Sequence, residues 1–305
     1  MNPYFDNNFF GFLMTLFERL IFFFQGKELR LAADEIQLLT LMAVSSSCAL
    51  IGTFLIYRKM TMLANSLSHT LLLGIVVAYL LSEAQDFTTL SLGSFVLASF
   101  LSSLLTAGLT VFLTKTAKLQ EDASTGVVFS SLFALGIVLV TIYSRNTHLS
   151  QEAVMGNVDA LHISDLHLSF FVFLINLVVI FLFYKELVLT TFDPEYAKVL
   201  GVSTFLMNVI VVFLCSLTAV GAFRSVGVLM VLSFITAPPL IARVFVKTLR
   251  GMILVSCGVG CLISLIGVAF SRHLFTEAHL ALSTGGVVVS LMSSLLFFVL
   301  FFRKK

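Results

Sequence analysis

Asn65 and His69 stand four residues apart in the run RKMTMLANSLSHTLLLG, which opens at Arg58, and on a helix they share one face. Most of the run is apolar. An imidazole is costly in such surroundings unless it meets a water-filled path or a partner, so His69 is a functional candidate. The competing reading is a packing histidine hydrogen-bonded to a serine or a carbonyl. Ser68 does not make a dyad with His69, because adjacent helix residues point about 100° apart.

A second group is His148, His162, His167, His273 and His279, which fall in the same two stretches as Glu152, Asp159, Asp165 and Glu277. Imidazole with carboxylate suits zinc, manganese or iron, so these residues are candidates for an outer metal entry. Histidines beside acids are also common in exposed loops, and that is the alternative.

A third group is built to dock rather than to react. Asp193 before Pro194 is a good N-cap followed by a first-turn proline, so a short helix starts there and carries Glu195. Pro238 and Pro239 end an apolar run, and the chain resumes as a basic amphipathic segment with Arg243, Phe245 and Lys247. The alternative is an ordinary interfacial connector. Between these two segments, Gly221 and Gly227 bracket Arg224 as a gate or hinge, since broken helices at membrane depth are tolerated where they line protein or a cavity. Arg224 could equally snorkel to the outer interface.

The elements that must position these residues are membrane helices. Of 305 residues, 59% are hydrophobic and 11% charged, with 32 Phe and a mean hydropathy of +1.07. At about 20 apolar residues per crossing, the composition supports roughly nine spans and rules out a soluble multidomain enzyme. Apolar runs between charged breaks fall near 36–57, 62–81, 90–114, 122–143, 166–184, 202–221, 226–241, 251–270 and 285–302. The fold class is an all-α polytopic membrane protein of about nine transmembrane helices.

One set of loops carries Arg58, Lys59, Lys115, Lys118, Lys185, Lys198, Arg243, Lys247, Arg250, Arg303, Lys304 and Lys305. The other set has only Arg19, Lys27, Arg30, Arg145, Arg224 and Arg272, together with most of the acids. The positive-inside rule then puts the C-terminus in the cytoplasm and the N-terminus outside. Residues 1–35 read as an N-terminal interfacial amphipathic segment, because the apolar run from Phe9 is short and interrupted by Glu18 and Arg19. A tenth span is the alternative. Residues 36–305 form the transmembrane domain.

A net charge of +2 with no basic run argues against nucleic acid. Cys48, Cys215, Cys257 and Cys261 all lie in apolar stretches, as small packing residues do. No GxxxxGK[ST] run occurs, so any ATP chemistry belongs to a partner. An intramembrane enzyme would need a nucleophile with a base, or an HExxH run, and neither appears.

The order of motifs resembles one family, the membrane permeases of ABC-type zinc, manganese and iron importers. The matching pieces are RKMTMLANSLSH, EDASTGVVFSSLFALGIVLV, VMGNV, FDPEYAKVLG and RSVGVLMV followed by APPLIAR. The resemblance implies a permease of the bacterial cytoplasmic membrane that moves a divalent metal ion by alternating access. It implies no permanently bound cofactor and three kinds of partner: cytoplasmic ATPase subunits, an extracytoplasmic metal-binding protein and a second permease subunit, identical or related. It also implies that Asn65 and His69 contact the metal, because the family carries an Asp and a His four apart there. Asn65 replaces that Asp, and an amide oxygen is a weaker, neutral ligand. Near the end, the family pattern Asp-x-Pro-Ser/Thr-Gly is Ala281-Leu282-Ser283-Thr284-Gly285 here. By the same resemblance, 238–250 would couple to the ATPase, with Phe245 or Val246 as its apolar anchor. The alternative function is a secondary metal transporter or channel that needs no ATPase. Intramembrane carboxylates would favour that reading, and the expected spans have none at mid-depth.

Overall fold

The structure, a computed structural model, describes residues 3–4, 8–24, 31–62, 66, 70, 73–74, 76–77, 92–118, 120–143, 158–278, 280 and 282–303. Its elements are α1 (Phe9–Phe24), α2 (Ala33–Tyr57), α3 (Leu92–Thr116), α4 (Glu121–Tyr143), α5 (Ile163–Leu182), α6 (Tyr184–Phe192), α7 (Pro194–Val199), α8 (Thr204–Val226), α9 (Val228–Phe245), α10 (Leu249–Ala278) and α11 (Thr284–Arg303). A single 3-10 turn, Val158–Ala160, precedes α5. No strand occurs among the described residues, and those between 61 and 77 are helical.

Six of these helices are long and apolar enough to cross a membrane: Ala33–Tyr57, Ile163–Leu182, Thr204–Phe223, Val228–Phe245, Leu249–Glu277 and Thr284–Phe302. They correspond to six of the expected spans. The runs 90–114 and 122–143 coincide with α3 and α4, whose apolar cores are shorter. The run 62–81 lies mostly outside the described residues.

The bundle is centred on α2, which packs against α5, α8, α9 and α10. Its apolar window is 89% buried, against 17% for α11, so α2 is the axis and α11 the periphery. Small residues let the neighbours approach. A Cβ on Gly260 of α10 would lie 3.1 Å from the Cβ of Ser45, and the Ser46 hydroxyl is 3.4 Å from Cys261 Sγ. All four cysteines are free, and Cys48 and Cys215 are fully buried, in keeping with a packing role.

Three boundaries differ from the sequence expectation. First, α9 runs unbroken through Pro238 and Pro239 to Phe245. The segment 238–250 is therefore not a helix of its own. It comprises the last turns of α9, a connection at 246–248 and the start of α10. Both prolines are buried, and Pro239 packs beside Gly52 of α2. Second, the chain does not break over a stretch from Gly221 to Gly227. The helix α8 continues through Gly221, whose added Cβ would touch Val172, and it ends at Gly227 alone. Gly227 has φ 83° and ψ 162°, a region open essentially to glycine only. Third, α10 extends well past 270, so Arg272, His273 and Glu277 stand on its last turns rather than in a loop.

Candidate functional site

Asp193 caps α7 as expected: its side chain accepts from the Tyr196 N–H at 2.9 Å, with Pro194 first in the helix. Glu195, Tyr196, Val199 and Leu200 are exposed, as are Phe192 and Phe245. Tyr196, Val199 and Leu200 thus form an exposed apolar patch on and beside α7, next to Glu195 and Lys198, and these apolar members are the part that cap-based reading missed. Arg243 and Lys247 are also exposed.

Behind this surface lies the end of α2. The Tyr57 ring sits 5.1 Å from the Phe192 ring, and the Arg243 guanidinium lies over it at 5.7 Å. Arg58 donates to Thr191 Oγ1 at 3.0 Å, to Thr190 Oγ1 at 2.8 Å and to Asn208 Oδ1. Burial lowers Arg58 to about 10, which leaves it cationic at neutral pH. Arg250 over the Tyr184 ring, 5.4 Å away, ties α10 to the start of α6.

Within the bundle, Asn65 and His69 lie outside the described residues. The residues that follow each of them, Ser66 and Thr70, are buried. Thr106 of α3 donates to Thr70 Oγ1 at 3.1 Å, and Ser102 on the same helix is 3.5 Å from Ser216 of α8. The Ser66 hydroxyl has no partner among the described residues. Hydroxyls of α3 thus meet Thr70 through Thr106 and α8 through Ser102. Gly221 and Gly227 are buried; Arg224 lies on the last turn of α8.

Near the starts of α2, α5 and α11, the residues expected at a metal entry are engaged singly. Asp159 accepts from Gln37 Nε2 at 3.0 Å and from both the hydroxyl and the N–H of Thr284. It thereby supplies to the start of α11 the carboxylate that the turn 281–285 lacks. Asp165 is buried and accepts the His162 N–H at 3.0 Å as the first turn of α5 forms. His162 and His167 are exposed. His273 has a buried Nδ1 with no partner among the described residues. His148 and His279 lie outside them. No three His, Cys, Asp or Glu residues converge on a metal-sized site among the described residues.

Two ion pairs fasten the same end. Arg272 bonds Asp34 at the start of α2, and Arg19 of α1 bonds Glu35. Glu35 also accepts from the Tyr4 hydroxyl and from the Ala32 N–H, each at 2.8 Å.

The model of the ABC 3 transport family matches residues 35–303. The chain belongs to that family. Members similar to this ABC 3 chain include a Chlamydia muridarum protein named as a probable metal transport system membrane protein, 38% identical over 96% of this chain and 92% of its own length. The manganese transport system membrane protein MntD of Bacillus subtilis is 37% identical over 76% of this chain and 81% of its own. The zinc transport system membrane protein TroD of Treponema pallidum is 35% identical over 64% of this chain and 55% of its own. Among solved structures, PsaBC from Streptococcus pneumoniae in complex with Fab superposes with a TM-score of 0.72 at 26% identity, covering 86% of this chain and 89% of that one. This ABC 3 family chain is a multi-pass protein of the bacterial cytoplasmic membrane.

Proposed function

We propose that the chain is the permease subunit of an ATP-driven importer of manganese or zinc ions. The observation that carries this reading is the family match across residues 35–303, with relatives named for manganese and for zinc transport. The metals in those relatives' names are manganese and zinc, which support these two ions and not iron. The family also disfavours the ATPase-independent transporter or channel. ATP hydrolysis belongs to a separate cytoplasmic subunit, and the chain itself is no enzyme.

In this reading about nine helices span the membrane, with the N-terminus outside and the C-terminus in the cytoplasm. The segment 1–35 rests at the outer interface, and 36–305 is the transmembrane domain. A second permease subunit completes the path, and an extracytoplasmic binding protein docks over 144–165 and 271–284 to deliver the metal. The ion is cargo and is not held permanently. It passes Asn65 and His69, which offer an amide oxygen and a ring nitrogen, both neutral and therefore easier to leave than a carboxylate pair. Alternating access arises when closure of the ATPase moves α7 and the end of α9 and the bundle hinges at Gly227.

Uptake of radiolabelled manganese and zinc by cells that depend on this system tests the assignment. His69→Ala should abolish uptake at normal expression, and Asn65→Asp should tighten binding at some cost in release. Undiminished uptake by His69→Ala would overturn the metal path proposed here.

A further inference from the structure

We propose that the Tyr57–Arg58 pair at the end of α2 is the junction through which movement of both cytoplasmic docking segments reaches the helical residues that begin at Thr61, the stretch of sequence in which Asn65 and His69 fall. The inference rests on the importer reading above. Three features of the structure support it.

The first is where Arg58 reaches. Thr190 and Thr191 occupy the last turn of α6, and Asn208 the first turns of α8, so one guanidinium clasps both flanks of the exposed helix α7. Both threonine hydroxyls already donate to their own helix, Thr190 to the Glu186 carbonyl at 2.8 Å and Thr191 to that of Leu187. Their lone pairs are thereby aimed at Arg58. All three acceptors are neutral, and a rigid five-donor fork holding neutral oxygens fixes geometry without an ion pair to break.

The second is where Tyr57 sits. Its ring meets Phe192, at the end of α6, and Arg243, in the last turn of α9. The two docking segments singled out by sequence, far apart along the chain, therefore converge on adjacent residues of one helix.

The third is how α2 ends. The Lys59 N–H donates to the Ile56 carbonyl at 3.2 Å and the Met60 N–H to the Leu55 carbonyl at 2.9 Å, with Lys59 at φ 58°. This is the closed left-handed cap of a helix. Thr61 is already helical. With so short and fixed a turn, displacement of Tyr57 and Arg58 is passed to the next helix rather than absorbed by a loop.

The test uses the full complex of permease, ATPase and binding protein in proteoliposomes, measuring metal imported per ATP hydrolysed. Arg58→Ala should lower that ratio about fivefold or more, the range of an intersite coupling energy, while the ATPase stays bound and hydrolyses at its wild-type rate. Arg58→Lys, which can reach only part of the acceptor set, should restore part of the ratio. An unchanged ratio in Arg58→Ala overturns the proposal. So does loss of the ATPase from the complex, since Arg58 would then only build the docking surface. Should Arg58→Ala fail to fold, Thr190→Val with Thr191→Val removes two acceptors while keeping the cation, and a wild-type ratio there overturns the proposal equally. Failure of the importer reading is distinguishable, because the wild-type complex would then show no ATP-dependent import at all.

Discussion

Gly52 of α2 lies against the main-chain carbonyl of Ile235 in α9, and a Cβ added to Gly52 would fall 2.0 Å from that oxygen. Pro239 follows Ile235 by one helical turn and has no N–H to give it. The carbonyl that the proline leaves without its helix donor therefore faces a bare glycine backbone, a contact of the Cα–H to oxygen kind seen at close helix crossings. The oxygen cannot swing away without moving α9. Gly52→Ala should destabilise the protein by about 1–3 kcal/mol or more, read as a lower Tm and less folded protein in detergent. An unchanged Tm would mean that the two helices do not meet as described.

Gly227→Ala should cost about 1–3 kcal/mol, because its φ of 83° and ψ of 162° suit no side chain. Gly221→Ala should cost less, since the nearest atoms to its new methyl belong to the Val172 side chain, with Cγ2 at 2.9 Å. Thermal unfolding of the two variants side by side checks the order. A larger loss at Gly221 would reverse the assignment of the break.

Asp159→Ala removes an acceptor from Gln37 and from both donors of Thr284. A loss of about 1–3 kcal/mol is expected for leaving such groups unserved. Hydrogen exchange should speed up at the first amides of α11 while those of α9 stay protected. Uniform exchange across both helices would contradict a local capping role.

Glu35→Ala should loosen α1, because it removes a carboxylate that both Arg19 and Tyr4 bond. Maleimide labelling of a cysteine placed at Phe12, a position fully buried in the docked segment, should then rise. The same assay has a pH dependence. Burial, then Glu35, raises the Tyr4 phenol above its ordinary value, so its neutral docked form is fully present below about pH 10. It is lost as pH rises through the higher folded value. Wild-type labelling should stay low through neutral pH and climb only in strong alkali; a rise near neutrality would contradict the docked phenol.

Apolar runs located the six candidate spans because a lipid-crossing helix must satisfy its own backbone with some twenty apolar residues, and that constraint is written locally. The cap at Asp193-Pro194 was legible for the same reason: donor and acceptor lie three residues apart. Charge misled at two boundaries. Arg224 suggested the end of a span, yet α8 holds its helix to Val226; Arg272 suggested a loop, yet α10 continues because Arg272 finds Asp34 across the bundle. Pairs such as Arg58 with Thr190 and Asn208, Gly52 with Ile235, or Asp159 with Thr284 join residues distant in the chain, and no periodicity in the sequence encodes them. The outer histidines illustrate the converse: composition grouped them with carboxylates, whereas Asp159 and Asp165 are committed to holding helix ends.

Metal accumulation in sealed proteoliposomes that hold this chain with its ATPase and binding-protein partners tests the central claim most directly. The account predicts that manganese or zinc accumulates only when ATP is supplied on the side of the ATPase, and that a catalytically dead ATPase abolishes accumulation. Equal uptake without ATP, driven by an ion gradient alone, would contradict it.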